Sequence, residues 1–423
     1  MSENSAKQAM QYYKEHRYQE AFDIWSKMTD DPVAFYNAAI VLYNGKITME
    51  DGWEKAYDLF YDAALNGYRK AHFFCGDIVE RELVDFDINV AALHYYYCPV
   101  EEKRAFERIK GLADRNVPKA QGTLAQCYYD GRFTERNIDE AVKWATTAYE
   151  NGERYFAPFV LGQWAQDNGN DEKAIKMFMD AGLSGNDFAY NYLGLCYKLP
   201  SNGASPNYPE AIRWFKKGAE EGDQWSIFNL GHMYLCGLGC KQNRERAVQL
   251  FDSIINDKNP ESLCLFNIGS LYFYGDGGTP DTQDIVGLDK DYDLAIELWE
   301  KASDKGVIKA SAELAQLYYF GTNAPRDYRL AFKYANLADN NPKGAYILGC
   351  CYYFGHGCKK DPALAEECFK KALRLGYTAA GDFLLDGKAL KPYSEWHVET
   401  NGAEVLGSLA AGIVSSLISG GDD

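Results

Sequence analysis

The sequence predicts an all-α fold, an α-solenoid of about ten antiparallel helix pairs wound as a right-handed superhelix. Three observations predict it. An alanine recurs at near-constant spacing along most of the chain. Each recurrence is framed by residues that start and stop helices. A second helical pattern, apolar-Gly-x-x-Tyr, precedes most of these segments.

The recurring alanines are Ala21, Ala56, Ala105, Ala141, Ala174, Ala211, Ala247, Ala295, Ala331 and Ala365. Their spacings are 35, 49, 36, 33, 37, 36, 48, 36 and 34, so the two long ones read as the same unit with a loop insertion. Asn137, Asn170, Asn207, Asn243, Asp291, Asp327 and Asp361 each stand four residues before an anchor. Asn and Asp side chains accept from the orphan N–H groups of a first turn, so these are N-caps. Gly67, Gly152, Gly185, Gly222, Gly306 and Gly376 stand 11 residues after their anchors. Asn116 takes that place once, and Asn259 and Asn341 lie within one residue of it. Gly and Asn tolerate the left-handed conformation that ends a helix. The segment between is helix B. Its face carries a large residue three or four positions after the anchor: Trp25, Trp144, Phe178, Trp214, Phe251, Trp299, Tyr334 or Phe369.

Helix A precedes helix B. Leu193-Gly-Leu-Cys-Tyr197, Leu230-Gly-His-Met-Tyr234, Ile268-Gly-Ser-Leu-Tyr272 and Leu348-Gly-Cys-Cys-Tyr352 share one form, and Leu124 to Tyr128 and Leu314 to Tyr318 put Ala for Gly. A helix-interior Gly costs about 1 kcal/mol against Ala, so its recurrence predicts close helix–helix approach. A Gly turn such as Gly355-His-Gly357 then leads to helix B.

The array is expected over residues 1–390, with a first unit at 5–31, insertions at 82–102 and 275–290, and a C-terminal cap and apolar tail at 391–423. Val90 to Tyr97 reads as an extra helix inside the first insertion. The stretch from Ala403 to Ser419 is shorter than the ~20 residues a spanning helix needs, so no transmembrane span is expected. It reads as a cap for the last repeat, a segment for a partner or for self-association, or a membrane contact.

The chain has 423 residues and a net charge of −17, which disfavours nucleic acid as a partner. The polar start, with no apolar run, predicts no secretory signal. Its 11 cysteines are irregularly placed, which predicts reduced thiols and a cytoplasmic location.

The Leu-Gly-x-x-Tyr-x-x-Gly-x-Gly runs at Leu230 to Gly239 and Leu348 to Gly357, with the Asp/Asn-x-x-x-Ala-x-x-Trp/Phe helices after them, resemble the Sel-one-like repeat family, a relative of tetratricopeptide repeats. The resemblance covers roughly residues 5 to 390. The first unit, Tyr18-Gln-Glu-Ala-Phe-Asp-Ile-Trp25, looks more like a plain tetratricopeptide.

Three kinds of site are weighed. For metals, His232, Cys236 and Cys240 form one candidate group and Cys350, Cys351, His356 and Cys358 another. Cys240 and Cys358 close Gly-x-Gly-x loops where the family places an apolar residue, so packing is the expected role. Asp289, Asp291, Asp293 and Glu300 match carboxylate positions of a calcium loop, but Leu294 stands where that loop needs Gly. No metal and no cofactor are expected. For catalysis, no nucleophile elbow, phosphate loop or His-Glu-x-x-His is present, so the chain is expected not to be an enzyme. Secreted relatives that act on β-lactams carry a regular cysteine pair in each repeat, which is missing here; a hydrolase of a small amide or cell-wall-like substrate is the alternative.

The favoured reading is a scaffold or adaptor that binds a partner in the concave groove lined by helix A. A membrane-peripheral assembly factor using the tail is a further alternative. Asn37, Asn191, Asn229 and Asn267 recur in mid-helix, where Asn is a mediocre helix former. In tetratricopeptide relatives an Asn at a similar place can hold a peptide backbone. Tyr36, Tyr190, Tyr192 and Tyr346 would wall the groove. The charge of −17 favours a basic or apolar partner segment.

Overall fold

The computed structural model describes residues 3–28, 31–98, 102–201, 203–275, 288–321, 323–377 and 380. Among the described residues there are 21 α-helices and no strand. They divide into two compact units, one ending at Ala189 and one beginning at Tyr190.

The first unit holds α1 (Glu3–Lys14), α2 (Tyr18–Trp25), α3 (Pro32–Tyr43), α4 (Gly52–Leu65), α5 (Ala71–Glu80), α6 (Asn89–Tyr96), α7 (Glu102–Asp114), α8 (Pro118–Asp130), α9 (Ile138–Glu150), α10 (Ala157–Asp167) and α11 (Asp171–Leu183). Then come α12 (Phe188–Lys198), α13 (Tyr208–Glu220), α14 (Gln224–Cys236), α15 (Arg244–Ile255), α16 (Ser262–Tyr274), α17 (Tyr292–Asp304), α18 (Ile308–Phe320), α19 (Tyr328–Leu337), α20 (Pro342–Phe354) and α21 (Pro362–Arg374). The all-helical reading and the helix boundaries implied by the anchors are met.

The caps explain the boundaries. Each of the seven predicted N-caps accepts from the first turn of its helix; Asn170 Oδ1, for example, accepts from Lys173 N at 3.0 Å. The six predicted glycines all have φ between 86° and 100°, and Asn116 has φ 61°. The two offset asparagines do otherwise. Asn341 is the N-cap of α20, accepting from Lys343 N and Gly344 N, and Asn259 Oδ1 accepts from Lys305 Nζ at 3.4 Å. Both lie past the helix end, where the backbone is already turning into the next helix.

All ten anchoring alanines are at most 1% exposed. The residue that completes the contact is the one four positions later. A Cβ on Gly162 would meet Phe178 at 2.6 Å, on Gly194 Phe215 at 2.3 Å, on Gly231 Phe251 at 2.6 Å, on Gly269 Trp299 at 2.9 Å and on Gly349 Phe369 at 2.7 Å. Each aromatic ring therefore lies flush against helix A where no side chain stands. Where helix A has Ala125 or Ala315 instead, the fourth position of helix B is Ala145 or Ala335, both fully buried. Volume added on one helix is removed from the other. This corrects three assignments: Trp144, Trp214 and Tyr334 stand three after their anchors, the two tryptophans half-buried and the tyrosine 3% exposed, and the contact position is held by Ala145, Phe215 and Ala335.

The first insertion is also reassigned. Tyr95 lies four residues after the buried Ala91 and covers Gly76 of α5 at 2.8 Å. So α5 and α6 repeat the pairing register, and the helix outside that register is α7, anchored at Ala105. Residues 276–287 of the second insertion, and the tail at 391–423 with its apolar stretch, lie outside the described residues. Among the described residues, no helix is long and apolar enough to cross a membrane.

Candidate functional site

Helical periodicity sets out a polar row on consecutive A helices of the second unit. Asn191 and Lys198, seven apart, share one face of α12. Asn229, His232 and Cys236 share one face of α14, and Asn267, Ser270 and Tyr274 one face of α16. These stripes interrupt faces that are otherwise apolar.

The α12 and α14 stripes meet. Asn229, fully buried, donates from Nδ2 to Asn191 Oδ1 at 2.9 Å and to Trp225 O at 3.1 Å. Its Oδ1 accepts from Lys198 Nζ at 3.3 Å. Asn229 thus has both ends of its amide engaged inside the protein. Asn191 has its oxygen engaged, and no hydrogen bond from its Nδ2 is found among the described residues. Asn267 is 9% exposed and forms no hydrogen bond among the described residues. Ser270 Oγ holds Phe266 O at 2.9 Å and accepts from Trp299 Nε1 at 3.3 Å. The row continues through Tyr274, whose OH donates to Glu313 Oε2 at 3.3 Å, and Lys343, paired with Glu313 at 2.7 Å.

Burial sets the electrostatics. It lowers the Lys198 ammonium to about 8 and the His232 imidazole to about 3, the lysine adding to the latter. Burial raises the Cys236 thiol while the lysine charge opposes it. His232 is therefore neutral at pH 7, with Cys236 Sγ 3.8 Å from its Nε2.

Of the predicted groove residues, the structure brings Asn191 and Asn229 together and places Asn267 on the next A helix. Asn37 lies half-buried on α3, in the other unit. The tyrosines are placed in packing. Tyr36 is half-buried with its ring 4.7 Å from Tyr68. Tyr190 stacks on Trp214 at 6.1 Å, Tyr192 is 8% exposed, and Tyr346 lies 4.9 Å from Tyr377 at 2% exposure. Tyr190 and Tyr346, three or four residues before Gly194 and Gly349, turn their rings to Trp214 and Phe369 of helix B. Lys198 was missed by sequence reasoning; its only signal was falling seven residues after Asn191.

The metal candidates have other roles. Cys240 Sγ donates to Met233 O at 3.7 Å, Cys350 and Cys351 are fully buried, and His356 stacks on Tyr328 at 3.9 Å. Asp291 is an N-cap and Asp289 pairs with Arg244 at 3.0 Å. Among the described residues, no three His, Cys, Asp or Glu side chains gather as ligands.

The Sel1 repeat profile matches residues 118–153, 187–223, 226–255, 262–307, 308–338 and 342–377, just over half of the chain. The chain belongs to the Sel1 repeat family. Sel1 repeats generally serve as protein-interaction scaffolds. An uncharacterised protein of Neisseria meningitidis serogroup B is 25% identical over 301 residues, 64% of this chain and 60% of its own length. DAP3-binding cell death enhancer 1 of Mus musculus is 24% identical, over 55% of this chain and 42% of its own. A component of an ERAD-associated E3 ubiquitin-protein ligase of Arabidopsis thaliana is 26% identical, over 28% of this chain and 18% of its own. The chain thus spans less than two thirds of the length of these relatives. Among solved structures, a Sel1 repeat protein from Oxalobacter formigenes is 19% identical, covering 85% of this chain and 94% of its own, with a TM-score of 0.49. A protective antigen of uropathogenic Escherichia coli with the same type of repeat is 20% identical, covering 98% and 93%, with a TM-score of 0.44. The Sel1 repeat matches include both helices that meet at Asn229.

Proposed function

We propose that this Sel1 repeat protein is a non-enzymatic scaffold that holds a segment of a partner protein along the polar row of α12, α14 and α16. The observation that carries this reading is the pair of amides, Asn191 Nδ2 and Asn267, that stand on A helices of the row with no acceptor among the described residues. An extended peptide has backbone carbonyls to offer such donors. The buried carboxylates with visible partners have structural work instead. Glu153 accepts from the backbone N–H groups of Tyr155, Phe156 and Ala157 at the start of α10, and Asp77 is paired with Arg81 and Arg108. Two relatives carry names that describe association, one binding DAP3 and one belonging to a ligase assembly. The cysteines are unbonded and mostly buried, which supports a reducing, cytoplasmic setting.

The test is affinity capture from native lysate with the wild type beside the double variant His232→Ala/Asn267→Ala. Asn229 is left intact because its buried amide holds α12 to α14. A saturable protein partner that the double variant loses at unchanged melting temperature supports the groove. A partner retained by both moves the binding surface off the A helices. Turnover of a small amide by the wild type would put the hydrolase reading first.

A further inference from the structure

We propose that the first unit carries a second docking surface, in which the exposed rings of Tyr61, Phe86 and Tyr97 receive arginine side chains from a basic segment of a partner protein. The surface is built from α4, the α5–α6 turn and the end of α6, and it does not rest on the reading of the polar row.

The rings form one connected set. Tyr57 and His94 are its buried floor, with the Tyr57 hydroxyl 2.9 Å from His94 Nε2. Phe86, in the turn that leads to α6, lies 4.6 Å from Tyr57. Tyr61, one turn after Tyr57 on α4, stacks on it at 6.0 Å. The set continues through His72, 5.3 Å from His94, to Tyr97, 6.0 Å from His72. Three members open to solvent: Tyr61 is 40%, Phe86 49% and Tyr97 41% exposed. Among the described residues the only other exposed aromatic side chains are Phe188 and Phe354, so the exposed aromatic surface is concentrated here. Leu65, also exposed, extends the Tyr57–Tyr61 stripe by another turn. A contiguous apolar surface of this kind marks an interaction site.

Charge names the occupant. Elsewhere the chain covers its rings with its own cations. Arg81 lies 5.6 Å from the Trp53 ring, Arg132 4.5 Å from Tyr96 and Lys217 4.4 Å from Tyr190. Among the described residues no cation lies over Tyr61, Phe86 or Tyr97. Carboxylates frame these rings instead. Asp58 and Asp62 follow the two stripe tyrosines on α4, and Asp85 and Asp87 flank Phe86, all four exposed. Asp87 caps α6 by accepting from Asn89 N at 2.8 Å. Asp58, Asp62 and Asp85 form no ion pair among the described residues. The two imidazoles add no charge at pH 7. Burial lowers His72 to about 4, with Arg69 adding to it. Burial also lowers His94 to about 3, with His72 adding to it. Rings edged with carboxylates attract a cation twice, through the negative ring face and through the acids. Arginine fits best, because its planar guanidinium stacks on a ring while its N–H groups reach a carboxylate. The net charge of −17 draws a basic segment toward the chain, and these residues supply the contact.

The test uses the full-length protein and three dye-labelled nonapeptide pools with randomised uncharged flanks, read by fluorescence polarisation at low and high salt. One pool has two central arginines, one has citrulline in their place and one has glutamate. Citrulline keeps the planar side chain and removes its charge. The expected result is at least fivefold tighter binding of the arginine pool than of the citrulline pool, with the glutamate pool weakest and the preference smaller at high salt. Tyr61→Leu/Phe86→Leu keeps the apolar surface and removes two rings; it should weaken binding of the arginine pool at least threefold at unchanged melting temperature. Asp58→Asn/Asp85→Asn keeps the rings and should narrow the arginine preference. The proposal is overturned if the arginine and citrulline pools bind alike, if no pool binds, or if either double variant keeps the full preference. A second copy of this chain is the competing occupant. If the wild type self-associates in sedimentation and Tyr61→Leu/Phe86→Leu does not, the surface is a self-contact and the partner assignment falls. His232→Ala/Asn267→Ala should leave the arginine preference intact; its loss there would move the arginine site to the polar row and overturn this one.

Discussion

Replacing Gly194 with Ala tests the contact on which each repeat is built. The added Cβ would lie 2.3 Å from Cε1 and 2.4 Å from Cδ1 of Phe215, against an ordinary carbon–carbon separation of about 3.5–4.0 Å. The ring or the helix must move by more than about 1 Å, and Phe215 is fully buried, in an interior that packs as densely as an organic crystal. Overpacking of this kind costs about 1–3 kcal/mol, and the demand here places it near 3. Replacing a helix-interior Gly by Ala returns about 1 kcal/mol. The net loss is about 2 kcal/mol, or a melting temperature lower by about 4–8 °C for a unit of this size. The control is Gly111→Ala on α7, where an added Cβ meets nothing within 4 Å; that variant should gain up to about 1 kcal/mol. A double-mutant cycle with Phe215→Leu completes the test. The smaller side chain makes room for the new methyl, so the double variant should be more stable than the sum of the singles by at least about 1 kcal/mol. Calorimetric melts of the full-length protein read every variant. If Gly194→Ala stabilises as Gly111→Ala does, or if the two changes add, the flush contact is not what the glycine is for.

Three further outcomes follow from the same structure. Ala211→Leu, at a fully buried anchor, should cost about 1–3 kcal/mol in the same melts. Asn170→Ala removes the acceptor for Lys173 N and should cost about 1 kcal/mol, while Asn170→Asp should cost little. Lys198→Met has a pH signature. The folded ammonium titrates at about 8 and the unfolded one near its ordinary 10.5, so between these values the unfolded state holds more protons and the wild type gains stability as pH rises. The penalty removed by the substitution is roughly 3 kcal/mol at pH 7, set against about 1–3 kcal/mol for stranding Asn229 Oδ1. The stability of Lys198→Met relative to wild type should therefore fall by roughly 3 kcal/mol from pH 7 to pH 10. A difference that does not change with pH, measured by urea unfolding, would show that Lys198 is not held in a desolvated site.

Most of the fold was legible because the signals that make a repeat are local. Asn170 caps a helix through a bond to Lys173, and Gly185 ends it through its own φ. The internal glycines of helix A announced close approach correctly. What they approach was harder to read, since Trp214 and Phe215 are adjacent and both aromatic, and only the register of two helices decides which one reaches Gly194. Asn341 looked like a helix end and is a helix start because α19 closes at Leu337 after 10 residues, where α17 and α21 run 13, so the chain is already entering α20 at Asn341. The candidate site was half legible. Asn191 and Asn229 could be singled out as unusual mid-helix residues, but their contact spans 38 positions. Lys198 carries no sequence signal of burial, because a lysine in the last turn of a helix reads as solvated charge.

The exchange of volume between Gly and aromatic, or Ala and Ala, is settled inside one helix pair. Phe251 answers Gly231 within its own repeat, and Ala335 answers Ala315 within another. A repeat therefore carries its own lock and key. Genetic duplication or loss of a whole repeat keeps every such pair matched, whereas recombination between helix A and helix B of different repeats would join a ring to an alanine. Array length in a protein built this way is free to drift by whole repeats, and the breakpoints of that drift should fall in the turn after helix B.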